Sequence, residues 1–184
     1  MPVKTPICDF KQTAKSFELK STNNEMVTLN NIKGESGTLI MFICNHCPYV
    51  KAVIKDIVED CINLRNLGIK TVAICSNDAI NYPEDSFDNM VSFSKNHNFT
   101  FPYLIDETQE VAKNYNAVCT PDFFGYNKNL ELQYRGRIRE LKNLKPVRNG
   151  ESDLFKAMKQ IAKTDKGPEE QIPSLGCSIK WLDN

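Results

Sequence analysis

Phe42-Ile43-Cys44-Asn45-His46-Cys47-Pro48-Tyr49-Val50-Lys51 joins an apolar run to an amphipathic one, and this junction decides the fold. Upstream, Leu39 to Ile43 form the short continuous apolar stretch of a strand buried on both faces. Pro48 suits the first position of a helix, where its missing N–H removes no bond. From there Val50, Val53, Ile54, Ile57, Val58 and Cys61 recur at helical spacing. Cys47 is thereby expected at the mouth of a helix, where free N–H groups and the positive dipole end favour a thiolate. Lys51, one turn on, is expected to add positive charge on the same side. The junction reads as a place for thiol chemistry, whereas Cys61 and Cys75 read as small buried residues.

Outward from the junction, the elements alternate. Phe17–Lys20 and Glu25–Leu29 flank a turn at Asn23-Asn24, an N-terminal hairpin. A strand at 38–43, a helix at 48–66 and a second apolar strand at 69–75 follow. A polar loop, 76–84, leads into a helix ending near Asn96. A strand at 103–105 and a short helix over 108–115 come next. Strands at 122–126 and 130–135 form a hairpin about Asn127-Lys128-Asn129, a helix spans 152–162, and 164–171 reads as a solvated linker. Parallel strands with crossover helices, ending in an antiparallel hairpin, imply a mixed α/β sandwich.

Composition narrows the function classes. The 184 residues suffice for one well-buried core. Lys plus Arg and Asp plus Glu both number 23, so no net field points to nucleic acid or an anionic membrane. The opening Met1-Pro2-Val3-Lys4-Thr5-Pro6 lacks the apolar core of a signal peptide, and no run is long enough to span a bilayer. Seven cysteines without such a signal suggest a cytoplasmic, reducing setting with free or transient thiols.

The order of elements, with a cysteine at the first strand-to-helix junction and Thr120-Pro121 before the hairpin, resembles the thioredoxin fold. The stretches 44–51, Ser76-Asn77-Asp78, Tyr82-Pro83, 118–124 and Tyr134-Arg135-Gly136-Arg137 resemble the peroxiredoxin-like proteins of the alkyl hydroperoxide reductase/thiol-specific antioxidant family. The resemblance implies a thioredoxin-like α/β/α sandwich with a central mixed sheet, an N-terminal β-hairpin and a C-terminal extension. Residues 1–163 would be the domain, and 164–184 a linker and docked tail. It also implies a cis Pro121 facing the reactive cysteine, with Thr120 beside it.

The same resemblance assigns roles. Cys47 occupies the reactive position, five residues after Phe42, with the Cys-Pro step kept. Cys44 and Cys47 have CxxC spacing, but the partner lies upstream, and Val50 stands where thioredoxin has its second cysteine. Cys44 also replaces the Thr or Ser, and Ile40 the proline, that peroxiredoxins carry before the reactive cysteine. Either Arg135 or Arg137 could be the arginine such sites need beside the thiol; a solvated charged face is their plainer reading. His46 is expected neutral, structural or hydrogen-bonding. Asp78, Tyr82 and Asp85 either shape a substrate mouth or serve turn chemistry. Cys44, His46 and Cys47 lack a second pair at zinc-finger spacing, so no metal is expected, and no bound cofactor is required.

Three functions follow. The first is a peroxiredoxin-like antioxidant in which Cys47 attacks peroxide and then forms a disulfide with a second cysteine, reduced by a dithiol protein such as a thioredoxin. The second is a protein disulfide oxidoreductase using Cys44 and Cys47. The third is a non-catalytic redox sensor. A homodimer is compatible with each. Cys119, two residues before Pro121, is expected near Cys47. In the tail, Cys177 and Trp181 have the spacing of the resolving segment of two-cysteine peroxiredoxins, with Ser178 where proline is expected. The tail is expected to dock through Trp181, with Cys44, being local, the nearer partner for Cys47 than Cys177.

Overall fold

In the computed structural model, which describes residues 2–183, side chains of successive residues of one central strand go to opposite cores. Leu39, Met41 and Ile43 enter one apolar cluster, and Ile40 and Phe42 the other. This alternation is the period-two geometry of a strand with cover on both faces.

The elements run β1 (Pro2–Lys4), β2 (Glu18–Ser21), β3 (Met26–Thr28), β4 (Gly37–Phe42), α1 (Pro48–Arg65), β5 (Ile69–Cys75), α2 (Phe87–Asn96), β6 (Tyr103–Ile105) and α3 (Glu110–Asn114). They continue with β7 (Cys119–Thr120), β8 (Asp122–Tyr126), β9 (Leu132–Tyr134), β10 (Leu141–Lys142), β11 (Lys145–Pro146), α4 (Asp153–Thr164) and β12 (Leu175–Ser178). The central sheet has the order β3-β2-β6-β5-β4-β8-β9. Strands β4, β5 and β6 are parallel, and β8, β9, β2 and β3 complete the sheet in antiparallel pairs. Val53, Ile57 and Leu64 of α1, Met90 of α2 and Leu154, Met158 and Ile161 of α4 pack on one face. Val111 and Ala112 of α3, with Phe17, Val27 and Leu29 from the N-terminal hairpin, cover the other. The architecture is the mixed α/β/α sandwich that the element order implied.

Several local readings change. The polar loop contains a 3-10 turn, Pro83–Asp85, and α2 starts only after Ser86, whose Oγ accepts from Asn89 N at 3.4 Å. The segment 138–152 contains a small hairpin, β10–β11, that carries no strong alternation to announce it. The stretch 164–171 is tied to the sheet rather than free in solvent. Gln171 Nε2 donates to Gln133 O at 2.9 Å and Arg135 N donates to Gln171 Oε1 at 2.8 Å.

The second, three-stranded sheet has the order β1-β12-β7. Strand β12 pairs antiparallel with β1 on one side and with Cys119–Thr120 on the other, Cys177 opposite Thr120. Its grip comes from this pairing and from Ile179, 3 % exposed in the second core. Trp181 is 41 % exposed, with Lys113 Nζ 5.8 Å from its ring centre, so it is not the anchor the sequence suggested. Inside, Gly176 lies so close to Thr120 that a Cβ would overlap its carbonyl oxygen.

Candidate active site

After β4 the chain leaves the sheet at Ile43, whose N–H still donates to Ile74 O at 3.0 Å. Cys47 is the N-cap of α1 in an extended conformation, Pro48 takes the first helical position, and Lys51 N donates to Cys47 O at 3.0 Å. The intervening loop is held by one buried carboxylate. Asp85 Oδ1 accepts from Asn45 N at 2.8 Å, and Asp85 Oδ2 accepts from Asn77 Nδ2 at 2.8 Å and lies 2.6 Å from His46 Nδ1. An ionised carboxylate only accepts, so His46 is assigned its proton on Nδ1. Asn45 in turn accepts from Tyr103 OH at 2.9 Å and donates to Glu84 O at 3.0 Å. His46 stacks on Tyr82 with ring centres 5.9 Å apart.

Three thiols meet around Thr120. Cys44 Sγ lies 3.3 Å from Thr120 Oγ1, Cys47 Sγ lies 3.1 Å from Thr120 O, and Cys177 faces Thr120 across the β12–β7 ladder. The Thr120–Pro121 bond is cis. The Cys44 thiol, donating to Cys47, is the largest influence lowering the Cys47 pKa to about 5, against burial; the Cys177 thiol and the N–H groups of Val50 and Cys177 also lower it. Its partners move the other way. The Cys47 sulfur and burial push the Cys44 thiol far up, and burial, then Cys47, pushes Cys177 up to about 11. One thiolate is thus cradled by two thiols that remain protonated. As a thiol Cys47 donates to Thr120 O.

Not every expected residue joins this group. Lys51 is exposed and bears on His97, not on Cys47. Arg135 is buried beyond the sheet, where Nη2 donates to Asp122 Oδ2 at 2.9 Å and its guanidinium lies 4.4 Å from the centre of the Phe124 ring. Arg137 pairs with Asp153 at 2.8 Å and Arg139 with Asp56 at 2.9 Å. Strand β9 ends at Tyr134, short of these arginines, and neither Arg135 nor Arg137 is among the groups that lower the Cys47 pKa. Nor do they form a solvated face. Cys119 is fully buried under the same loop, its thiol donating to Pro121 O at 3.7 Å, close enough for the Cys47 charge to push its pKa up after burial and Asp122. Burial also pushes Cys61 and Cys75 up to about 12, which leaves them inert packing residues.

Sequence reading left the polar loop undecided, and the structure divides it. Asp78 serves turn chemistry, accepting from Ile80 N at 2.9 Å, whereas Asp85 organises the site. Cys44, His46 and Asp85 each present a ligand atom, all within 4.8 Å of one another, the one grouping of this kind among the described residues. Beside Pro121 a cavity of about 360 Å³ runs between Tyr49 and Val53 of α1 and Leu175 of the tail, with Arg137 on its wall. Among the described residues no helix is long and apolar enough to cross a membrane.

Comparison with known proteins agrees with this geometry. No curated protein matches the chain. Among solved structures, an uncharacterized conserved protein from Geobacillus kaustophilus shares 38% identity, with 100% of this chain and 98% of that chain covered and a TM-score of 0.89. A hypothetical protein from Sinorhizobium meliloti shares 32% identity over 98% of each chain, with a TM-score of 0.90. At 16% identity, a thiol:disulfide interchange protein of the thioredoxin family from Chlorobium tepidum covers 83% of this chain and 97% of its own, with a TM-score of 0.64, a likeness of fold. The AhpC/TSA family model matches residues 10–141. With the thioredoxin fold and a low-pKa cysteine at the first strand-to-helix junction already in place, that match makes the chain a member of the AhpC/TSA family of thiol oxidoreductases.

Proposed function

We propose that the protein is a thiol peroxidase in which Cys47 is the attacking thiolate and Cys177 the resolving thiol. The observation that carries this reading is the tail strand: pairing of Cys177 with Thr120 brings its thiol onto Cys47. The thiolate would attack the outer oxygen of a hydroperoxide, breaking the O–O bond and giving a sulfenic acid and an alkoxide that takes up a proton. The Cys177 thiol then displaces water from the sulfenic acid, leaving a Cys47–Cys177 disulfide, which an external dithiol reduces by exchange. The tail covers the Thr120 edge on which an extended peptide would pair, which favours a small oxidant over a folded disulfide substrate. The cavity beside Pro121 has room for the carbon body of an organic hydroperoxide.

Peroxide consumption with a dithiol reductant tests the reading. Cys47→Ser should fall to background. Cys177→Ser should stop after one equivalent, with a sulfenic acid trapped at Cys47 by a carbon nucleophile. Wild-type rates equal to Cys47→Ser would falsify it.

A second reading is supported by the Cys44 thiol against Cys47 and by the absence of an arginine donor at the sulfur. Here Cys44 and Cys47 cycle as a dithiol–disulfide pair on protein disulfides. A Cys44–Cys47 bond in the oxidised protein, with insulin reduction and negligible peroxide turnover, supports that alternative.

A further inference from the structure

We propose that the reduced protein binds one zinc-class cation through Cys44 Sγ, Cys47 Sγ, His46 Nδ1 and Asp85 Oδ2. The sequence offers three of these ligands in four residues; the fold adds the fourth from 38 positions beyond Cys47. The ligand atoms of Cys44, His46 and Asp85 already lie within 4.8 Å of one another; Cys47 Sγ, 3.1 Å from Thr120 O, lies outside that group and has to turn from the carbonyl to complete it. Four ligands about a tetrahedral zinc sit roughly 3.2–3.8 Å apart, given Zn–S near 2.3 Å and Zn–N or Zn–O near 2.0 Å. The cluster therefore needs Cys44 to draw in by up to about an ångström, Cys47 to turn toward it, and the 2.6 Å His46–Asp85 contact to open by about an ångström.

The surroundings are those of ligands held in place. Asn77 Nδ2 and Asn45 N orient the Asp85 carboxylate, and Thr120 Oγ1 lies against Cys44. Two sulfurs, an imidazole and a carboxylate select a borderline-soft ion over magnesium or calcium. Binding sends the Cys44 proton to solvent and moves the His46 proton from Nδ1 to the outward Nε2, so affinity rises with pH. Because zinc draws on a Cys47 lone pair and crowds the sulfur, metal-bound protein should react more slowly with oxidant or alkylator.

The site uses the same cysteines as the proposed peroxidase but not its reaction, and the experiment reads affinity alone. Reduced full-length protein is titrated with zinc chloride against a chromophoric chelator, and Cys47 alkylation by iodoacetamide is followed in parallel. One equivalent should bind, and it should protect Cys47. His46→Ala and Asp85→Asn should each weaken binding by about ten- to a hundredfold, while Cys8→Ser, remote from the cluster, leaves it unchanged. Failure to compete with the chelator overturns the proposal. So does wild-type affinity in His46→Ala, a partly exposed position that decides the matter even if Asp85→Asn does not fold.

Discussion

The two flanks of Cys47 are built by different means. On the inner flank, the 44–48 junction is continuous with β4, which is paired along its length by β5 and β8, and a buried carboxylate gathers three donors from three loop residues. On the outer flank, β12 is held by two residues of β7 and three of β1, by the buried side chains of Ser174 and Ile179, and by hydrogen bonds from Lys180 N to Asn77 Oδ1 at 2.9 Å and from Leu182 N to Gln109 Oε1 at 2.8 Å. Cys47 is 0 % exposed only because both flanks are closed. The inner flank fixes where the sulfur sits; the outer one fixes whether anything reaches it. Local opening is drawn from segments with shorter pairing, and β12 pairs over only two or three residues on either side where β4 pairs over five and six.

The largest effect that sharpens this contrast is expected on the inner flank. Asp85→Ala leaves the Asn45 N–H and Asn77 amide without their acceptor and should cost about 3 kcal/mol in denaturant unfolding, from 1–3 kcal/mol for each orphaned group. Ile179→Ala should cost about 2 kcal/mol and, unlike Asp85→Ala, should speed Cys47 alkylation in the native state, because the strap loosens first. Equal alkylation rates in the two variants would break the distinction between the flanks. Gly176→Ala should lift β12 from Thr120 at a cost of about 1–2 kcal/mol, with the same gain in alkylation. Trp181→Ala should cost about 1 kcal/mol, less than Ile179→Ala, since two-fifths of its surface stays in water.

A titration reads the sulfur between the two flanks directly. Alkylation of the native protein should rise with Cys47 ionisation about a midpoint near pH 5; Cys44→Ala should move that midpoint upward because the Cys44 thiol is the leading donor, and loosening the tail should move it the same way because Cys177 also donates. The Cys47 pKa is depressed on folding, from 9.0 to about 5, so its ionisation adds stability as pH rises between those values. That contribution is complete above the unfolded pKa and lost as pH falls through about 5. Cys177, raised to about 11, works in the opposite direction between 9.0 and 11. Unfolding at fixed denaturant should therefore be most resistant between these regimes for the thiol contribution, and a Cys47→Ser variant should lose the slope between pH 5 and 9.

The elements with continuous apolar runs were legible in the sequence. Strand 69–75 and the proline start of α1 follow from composition and period alone, because burial on both faces leaves no polar position to interpret. Asp85 was not, although its loop drew attention: an aspartate among asparagines and a proline looks like turn chemistry, and Asp78 nearby is just that. Its role depends on pairing across 40 residues, which no local pattern records. Trp181 misled for a related reason. Size suggested an anchor, but the ladder to β7 ends at Ser178 and the inward position past it falls to Ile179. Arg135 differs from its reading as a solvated charge because it turns inward to Asp122 just past Tyr134, where the strand stops, and no local pattern names that partner.

The close approach of Gly176 to Thr120 has one more consequence. It allows only one register for β12, and side chains alternate along a strand, so the glycine acts as the zero mark of a ruler that aims the next residue, Cys177. A single residue inserted between Gly176 and Cys177 would turn the thiol to the opposite side while leaving the tail long enough to bind. The reach of the tail is therefore counted in residues, not in slack.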